Sequence, residues 1–377
     1  MDHIILTTTY TGFNYGTSLQ ALAGKYIVSK LGYECDFVRP KSLIKGRDIR
    51  LAKFLKMLWR VISLGDIKRL SPFVSSYKKK LIKGTEAKFF LFNDEYLLPQ
   101  EFSWTELRRA AKNSVACLAG SDQIWIPDAL YVDPIYYLRF APEKKRIAFA
   151  PSFGRDHVAE YNVKKIRKWI SEIPYLSVRE ISGVKLIKEL TGRNSVHLLD
   201  PTLGISREEW KNLLSITEKK ENYILAYFLD EPSKFALEKM KELKLSLGCK
   251  ILGIPYQFEN MDYCDKLICA GPKEFVALVL NARLVCTDSF HGTAFSMNLH
   301  TPFYTYERMY GMASKQSVRI ISLLTQFGLM ARYQQNNPIC YIDNIDFNIV
   351  EHILAEERVK ICNYLKDSIS EIKSYEI

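Results

Sequence analysis

The chain has 377 residues, with 53 Lys and Arg against 42 Asp and Glu and a net charge of +11. At 47% hydrophobic and 25% charged it has a globular composition and length enough for two domains. There is no internal repeat, no low-complexity stretch and no uncharged apolar run approaching roughly 18 residues, so no transmembrane helix is expected. The eight Cys include no C-x-x-C pair, and Cys264 and Cys269 are wrongly spaced for a zinc knuckle. Reduced, mostly buried thiols of a cytosolic protein are the expectation. The start, "MDHIILTTTY", is acidic and passes straight into a strand pattern, so no signal peptide is expected.

"HIILTT" reads as a strand, "TSLQALAGKYIVSKLG" as a helix ending at Gly32, and "ECDFV" as the next strand. The turn inside this βαβ opening, "YTGFNYGT", has two glycines and Asn14 but not the full G-x-G-x-x-G pattern, so dinucleotide binding is not supported. A basic insertion follows, over about 39–92. Between Arg39 and Lys88 there are 15 Lys or Arg against 3 Asp or Glu, which leaves the rest of the chain near neutral. Within it, Arg50–Ile62 sorts at 100° per residue. Arg50, Lys53, Lys56 and Arg60 fall on one face; Phe54, Leu55, Leu58, Trp59 and Ile62 fall on the other. Such a helix suits an anionic membrane surface, and the competing reading is a surface helix packed on the core. No nucleic-acid module accompanies the charge, so nucleic acid is not an expected partner.

Beyond the insertion come the strands "SVACLAG", "RIAFA", "YLSV" and "SVHLLD", then a second series from "NYILAYFL" to "PFYTYE" alternating with helices. Two helical stretches close the chain, near 314–327 and 349–374. Alternation of strands and helices predicts mainly parallel sheets, and two such series predict two Rossmann-like α/β domains, 1–212 and 213–377. Ligands of such sheets bind beyond the carboxyl ends of the strands. Six polar loops lie at those ends: "TGFNYG", "GSDQIW", "APSFG", "SVRE", "DPTL" and "TDSFHG". They direct Asn14, Asp122, Gln123, Ser152, Arg179, Asp200, Asp288, Ser289 and His291 toward one cleft between the domains.

In "TDSFHGTAFS" a buried strand ends and a helix begins. Asp288 and Ser289 are both good N-cap residues, which puts His291 and Gly292 among free N–H groups at the positive end of a helix, a place for an anion. Arg179 offers a guanidinium fork for carboxylate or phosphate; its other reading is a surface salt bridge with Glu180 or a neighbour. Arg319, in "SKQSVRIISLL", is a second such cation, or else part of a solvated helix face. There is no H-E-x-x-H and no His cluster, so no metal is implied. "SFHG" is not G-x-S-x-G, so a hydrolase nucleophile is not supported.

The ordered series "NYGTSLQALA", "GSDQIW", "RIAFAPSFG", "LSVRE", "DPTL" and "TDSFHGTAFS…PF" resembles the motifs of the polysaccharide pyruvyl transferase family, over about Asn14 to Phe303. The resemblance implies a glycosyltransferase-B-like arrangement with its site in the interdomain cleft. It also implies transfer of the enolpyruvyl group of phosphoenolpyruvate to a sugar of a surface polysaccharide precursor, forming a pyruvate ketal with no separate cofactor. By that resemblance Arg179, His291 and Arg319 lie at the donor; Ser289, Gly292 and Asn14 are further donor-binding candidates, and Gln123 and Ser152 acceptor-binding ones. His291 is the candidate acid, and Asp122, Asp200 or Asp288 the base. A lipid-linked acceptor would place the protein in the cytoplasm, peripheral at the inner membrane face. The rival is a nucleotide-sugar glycosyltransferase of the same architecture.

Overall fold

The computed structural model describes residues 2–40, 43–44, 47–65, 82–256, 261–308, 317–334 and 345–375. The expectations for residues 314–316 and for the side chains of Arg50, Lys53 and Lys56 lie outside the described ones.

The first sheet opens with β1 (His3–Thr7), helix α1 (Tyr15–Lys30) and β2 (Glu34–Pro40). The insertion supplies α2 (Ile49–Leu64) and α3 (Thr85–Phe92). Then come β3 (Gln100–Phe102), α4 (Trp104–Asn113), β4 (Ala116–Ala119), β5 (Arg146–Ala148), α5 (Glu160–Ser171), β6 (Ser177–Val178), α6 (Ile181–Thr191) and β7 (Val196–His197). The order is β3-β2-β1-β4-β5, all parallel; a bridge from Ile147 to Tyr175 carries it on to the β6–β7 pair.

After α7 (Arg207–Leu213) a second sheet is built from β8 (Tyr223–Tyr227), α8 (Lys234–Leu247), β9 (Lys250–Gly253), β10 (Lys266–Leu267), α9 (Pro272–Asn281), β11 (Leu284–Thr287), α10 (Phe290–Asn298), β12 (Phe303–Tyr306), α11 (Ser317–Gln326) and β13 (Tyr333–Gln334). Its order is β10-β9-β8-β11-β12-β13, again all parallel. Both sheets therefore have the central-strand-first winding of a Rossmann-type fold, the two-domain architecture expected from the alternation. The last helix, α12 (Phe347–Ser374), runs back to the first sheet, where the Tyr364 hydroxyl donates to Ala148 O at 2.8 Å and Lys373 pairs with Asp2 at 2.7 Å.

The central strands read as unbroken apolar runs because both of their faces are covered. β4 and β11 are buried along their whole length, and β1 after its first residue. A single apolar cluster joins Ile4 and Phe149 of the first sheet to Leu225 and Val285 of the second and to Ile361 and Ile369 of α12. The contact between the sheets runs through α1. Tyr15 stacks on Phe275 with ring centroids 5.0 Å apart and donates to Ala270 O at 3.0 Å.

The insertion helix α2 behaves differently from its packed-surface reading. Val61 is buried, and Arg60 turns onto α5, donating to Tyr161 O and Asn162 Oδ1 at 3.2 Å each. Phe54, Leu55, Trp59 and Ile62 nevertheless stand 45–67% exposed. An apolar face of four large side chains is left in solvent, and one of the four cations expected opposite it is used for packing. No described helix is long and apolar enough to cross a membrane.

Candidate active site

Two helix N-termini meet at the site. Asn14 caps α1 by accepting from Thr17 N at 3.2 Å, and its amide donates to the Tyr256 hydroxyl at 3.1 Å. Ser289 caps α10 by accepting from Gly292 N at 3.3 Å. Both caps are thus spent on their own helices, as capping chemistry dictates. Every residue of α10 from Phe290 to Asn298 is buried, and so are the first ten residues of α1. They approach so closely that a Cβ on Gly16 would stand 2.0 Å from His291 Nδ1. Gly16 is what allows this helix crossing, and only the tertiary contact reveals it.

Arg179 follows the short strand β6 and is buried, its side chain 2% exposed. The surface salt bridge with Glu180 is not formed. Arg179 Nη1 instead donates to Asp200 Oδ2, and Nη2 faces Asp122 Oδ1 at 3.7 Å. Asp200 is saturated. Its Oδ1 accepts from Thr202 N and Thr202 Oγ1 at 3.0 and 2.7 Å, and its Oδ2 also accepts from Ser121 Oγ at 3.2 Å. His291 Nε2 lies 3.6 Å from the same oxygen and has no hydrogen bond. Asp122 sits in the left-handed region, φ +68°, in the turn after β4, and accepts from Thr17 Oγ1 at 2.8 Å. Asp tolerates that conformation at some cost, and such strain concentrates at working sites.

Arg319 is not on a solvated face. It extends from α11 to the same place, and both guanidinium groups lie over the ring of Phe290, Arg179 at 4.8 Å and Arg319 at 5.8 Å. Arg319 has no carboxylate partner among the described residues, and its Nε is buried without a hydrogen bond, as are Nε and Nη2 of Arg179.

The charges respond to this arrangement. Burial opposes ionisation of Asp200 and Asp122, but Arg179 above all, with His291, outweighs it and holds both carboxyls below the usual range. Burial likewise disfavours the Arg179 cation, and Asp200 and Asp122 more than restore it. Arg319 lacks that support, so burial and then the neighbouring Arg179 bring it down to about 10. Because the two aspartates are depressed, they stabilise the fold above the unfolded-state value of about 3.9, and that contribution is lost as pH falls through their folded-state values. Asp122→Asn keeps the left-handed turn and removes one such group. Its urea midpoint is expected to fall less than wild type between about pH 5 and pH 3; parallel curves would place Asp122 outside the charge network.

Four expected site residues have their contacts outside the Arg179–Asp200–His291 cluster. Asp288 accepts from Leu229 N and Asp230 N at 2.6 and 3.1 Å and pairs with Arg308 at 3.2 Å. Burial pushes its carboxyl up to about 6 against that support. Gly292 lies against Thr287, whose Oγ1 a Cβ would meet at 2.4 Å. Ser152 donates to Glu180 Oε1 at 2.9 Å. Gln123 packs under Gly154, near that same loop. Glu180, Phe290, Thr17 and Ser121 were not singled out as site residues in the sequence. Glu180 and Phe290 adjoin Arg179 and His291 in "VRE" and "SFHG", the one local signal that pointed to them. No group of acidic, His or Cys side chains suited to a metal occurs among the described residues.

The family described as polysaccharide pyruvyl transferase matches residues 14–308. The chain belongs to that family. The match spans α1 through β12 and so contains every site residue above except Arg319. Membership makes it a transferase acting in polysaccharide pyruvylation. No curated protein matches it in sequence. Among solved structures it is similar to an O-GlcNAc transferase variant of Thermobaculum terrenum, at TM-score 0.41 and 10% identity over 98% of this chain and 63% of that one. It is also similar to MnaA of S. aureus bound to UDP, at 0.43 and 9% over 98% and 91%. A third is the UDP-GlcNAc 2-epimerase of Methanocaldococcus jannaschii, at 0.43 and 11% over 94% and 99%. Likenesses this distant say nothing about what this pyruvyl transferase binds.

Proposed function

We propose that this polysaccharide pyruvyl transferase moves the enolpyruvyl group of phosphoenolpyruvate onto a sugar of a lipid-linked precursor, forming a pyruvate ketal. One observation carries the donor assignment. Two arginines share one buried ring with N–H groups unpaired, beside the first turn of α10. Two like charges held together in a buried place repel, and an anion between them removes the repulsion while filling the open donors. Phosphoenolpyruvate has a carboxylate and a phosphate for those donors. Since Asp200 occupies the fork of Arg179, Arg319 is the less neutralised cation and takes the larger share of the donor. The cavity at their meeting point is only ≈10 Å³, room for about one water, so its walls separate as the donor enters.

In this reading His291 protonates C3 of the donor, C2 becomes electrophilic, and a sugar hydroxyl adds there. A second hydroxyl of the same sugar then replaces the phosphate. Asp200, with both oxygens saturated and its carboxyl strongly depressed, is a poor base and serves to orient Arg179 and His291. Asp122, whose Oδ1 accepts no hydrogen bond from the described residues, is the better one. Asp288, held on Leu229 N and Arg308, stands outside this scheme.

Incubation with phosphoenolpyruvate and lipid-linked precursors, followed by mass spectrometry, is expected to show a pyruvyl ketal with release of phosphate. A melting temperature raised by UDP and not by phosphoenolpyruvate would instead favour the nucleotide-sugar glycosyltransferase. The exposed apolar face of α2 supports a peripheral contact with the membrane that carries such a precursor. Wild type is expected to sediment with anionic vesicles at low salt, and Trp59→Ser with Lys53→Glu and Lys56→Glu to remain in solution. Wild type that ignores such vesicles would end the membrane assignment.

A further inference from the structure

We propose that Glu180 binds, and takes the proton from, the second sugar hydroxyl consumed in ketal closure; this rests on the pyruvyl-transfer reading above. Glu180 is 2% exposed. It is the N-cap residue of α6, yet its side chain makes no cap bond. One carboxylate oxygen is fixed instead by the loop after β5, accepting from Ser152 Oγ at 2.9 Å and Gly154 N at 2.8 Å. The other oxygen, Oε2, is buried and accepts nothing. Glu180 lines the same cavity as Arg179, Phe290 and Arg319.

A buried carboxylate oxygen without a donor is costly to keep, so its partner arrives with a ligand. The polar groups of the site sort by what they lack. Arg179 and Arg319 lack acceptors, and the fully ionised donor substrate supplies only acceptors. Glu180 Oε2 lacks a hydrogen-bond donor, which that substrate does not have and a sugar hydroxyl does. Ketal formation uses two hydroxyls of one sugar, each of which loses a proton. Asp122 on one side of Arg179 receives the first. Glu180, next to Arg179 in the chain, receives the second: its Oε2 takes the proton as the new C2–O bond forms, the C2–O bond to phosphate breaks, and phosphate leaves with the electron pair of that bond.

This division separates the two halves of the reaction. In D2O, reversible protonation at C3 and addition of the first hydroxyl wash deuterium into the methylene of recovered phosphoenolpyruvate, whereas phosphate release needs the second hydroxyl. The probe acceptors are methyl hexopyranosides with free 4,6- or 3,4-hydroxyls. Glu180→Gln keeps an oxygen for Ser152 and Gly154 and is expected to lower phosphate release by about 10²-fold while deuterium exchange and the melting-temperature rise with phosphoenolpyruvate persist. Glu180→Asp, which keeps the charge but shortens its reach, is expected to show the same split and covers a Gln variant that fails to fold. Unchanged phosphate release in a folded variant overturns the assignment, and so does equal loss of exchange and release. Wild type that neither exchanges deuterium nor releases phosphate with any of these acceptors would instead remove the pyruvyl-transfer reading, and this inference with it.

Discussion

Arg179→Met is expected to destabilise the protein by about 3–5 kcal/mol, because it strands buried carboxylates rather than merely losing a contact. Asp200 is wholly buried and its Oδ2 is bonded to Arg179 Nη1; Asp122 faces the other end of the same fork at 3.7 Å. Without the guanidinium, Asp200 keeps its bonds from Thr202 and Ser121 but has no full countercharge at contact. Urea denaturation at neutral pH measures the loss. Adding Asp200→Asn to Arg179→Met removes the stranded charge and is expected to restore part of it, which identifies the charge and not the lost volume as the cause. Arg179→Lys tests the other role. An ammonium replaces the charge but not the fork, so stability is expected to fall less than in the Met variant while phosphoenolpyruvate still binds weakly. Wild-type donor affinity in the Lys variant would confine Arg179 to holding Asp200 and Asp122.

His291→Gln is expected to lower turnover by ~10²–10⁴ with the fold and donor binding kept, as befits a lost proton donor. The residue is 7% exposed, its Nε2 has no hydrogen bond, and Asp200 Oδ2 stands 3.6 Å away. Gly16→Ala gives an independent approach without touching the imidazole. Alanine ordinarily strengthens a helix, but here its methyl would lie 2.0 Å from His291 Nδ1, so the ring or the helix must move. A stability loss of about 1–3 kcal/mol is expected from such overpacking, with reduced turnover as the ring is displaced. Full activity in a folded His291→Gln protein would take the acid role away from this residue.

Much of this was legible in the sequence because it is written in local pattern. The apolar runs of β1, β4, β5, β8 and β11 and the amphipathic helices between them set the α/β class and the two parallel sheets, since strand and helix periods differ and covered strands read as unbroken apolar stretches. The polar loops at strand ends supplied Asp122, Arg179, Asp200 and His291, which the structure brings together. "TDSFHG" offered Asp288 or Ser289 as the cap and, with either, put His291 in or near the first turn of a helix.

What the sequence by itself could not decide were the choices made between distant segments. Arg179 had Glu180 beside it, but its partners are Asp200, 21 residues on, and Asp122, in another loop. The crossing of parallel strands brings those loops together, and nothing in a local window encodes it. Asp288 and Ser289 were equally good caps by type. The structure gives the cap to Ser289 and turns Asp288 to the loop after β8, because β11 lies beside β8 in the sheet. Arg319 was indistinguishable from a surface cation until α11 packed it over Phe290, and the apolar face of α2 was indistinguishable from a core-facing one until Arg60 turned onto α5 and left that face in solvent. Periodicity tells which residues share a face; only the packing of one element on another determines which face is covered.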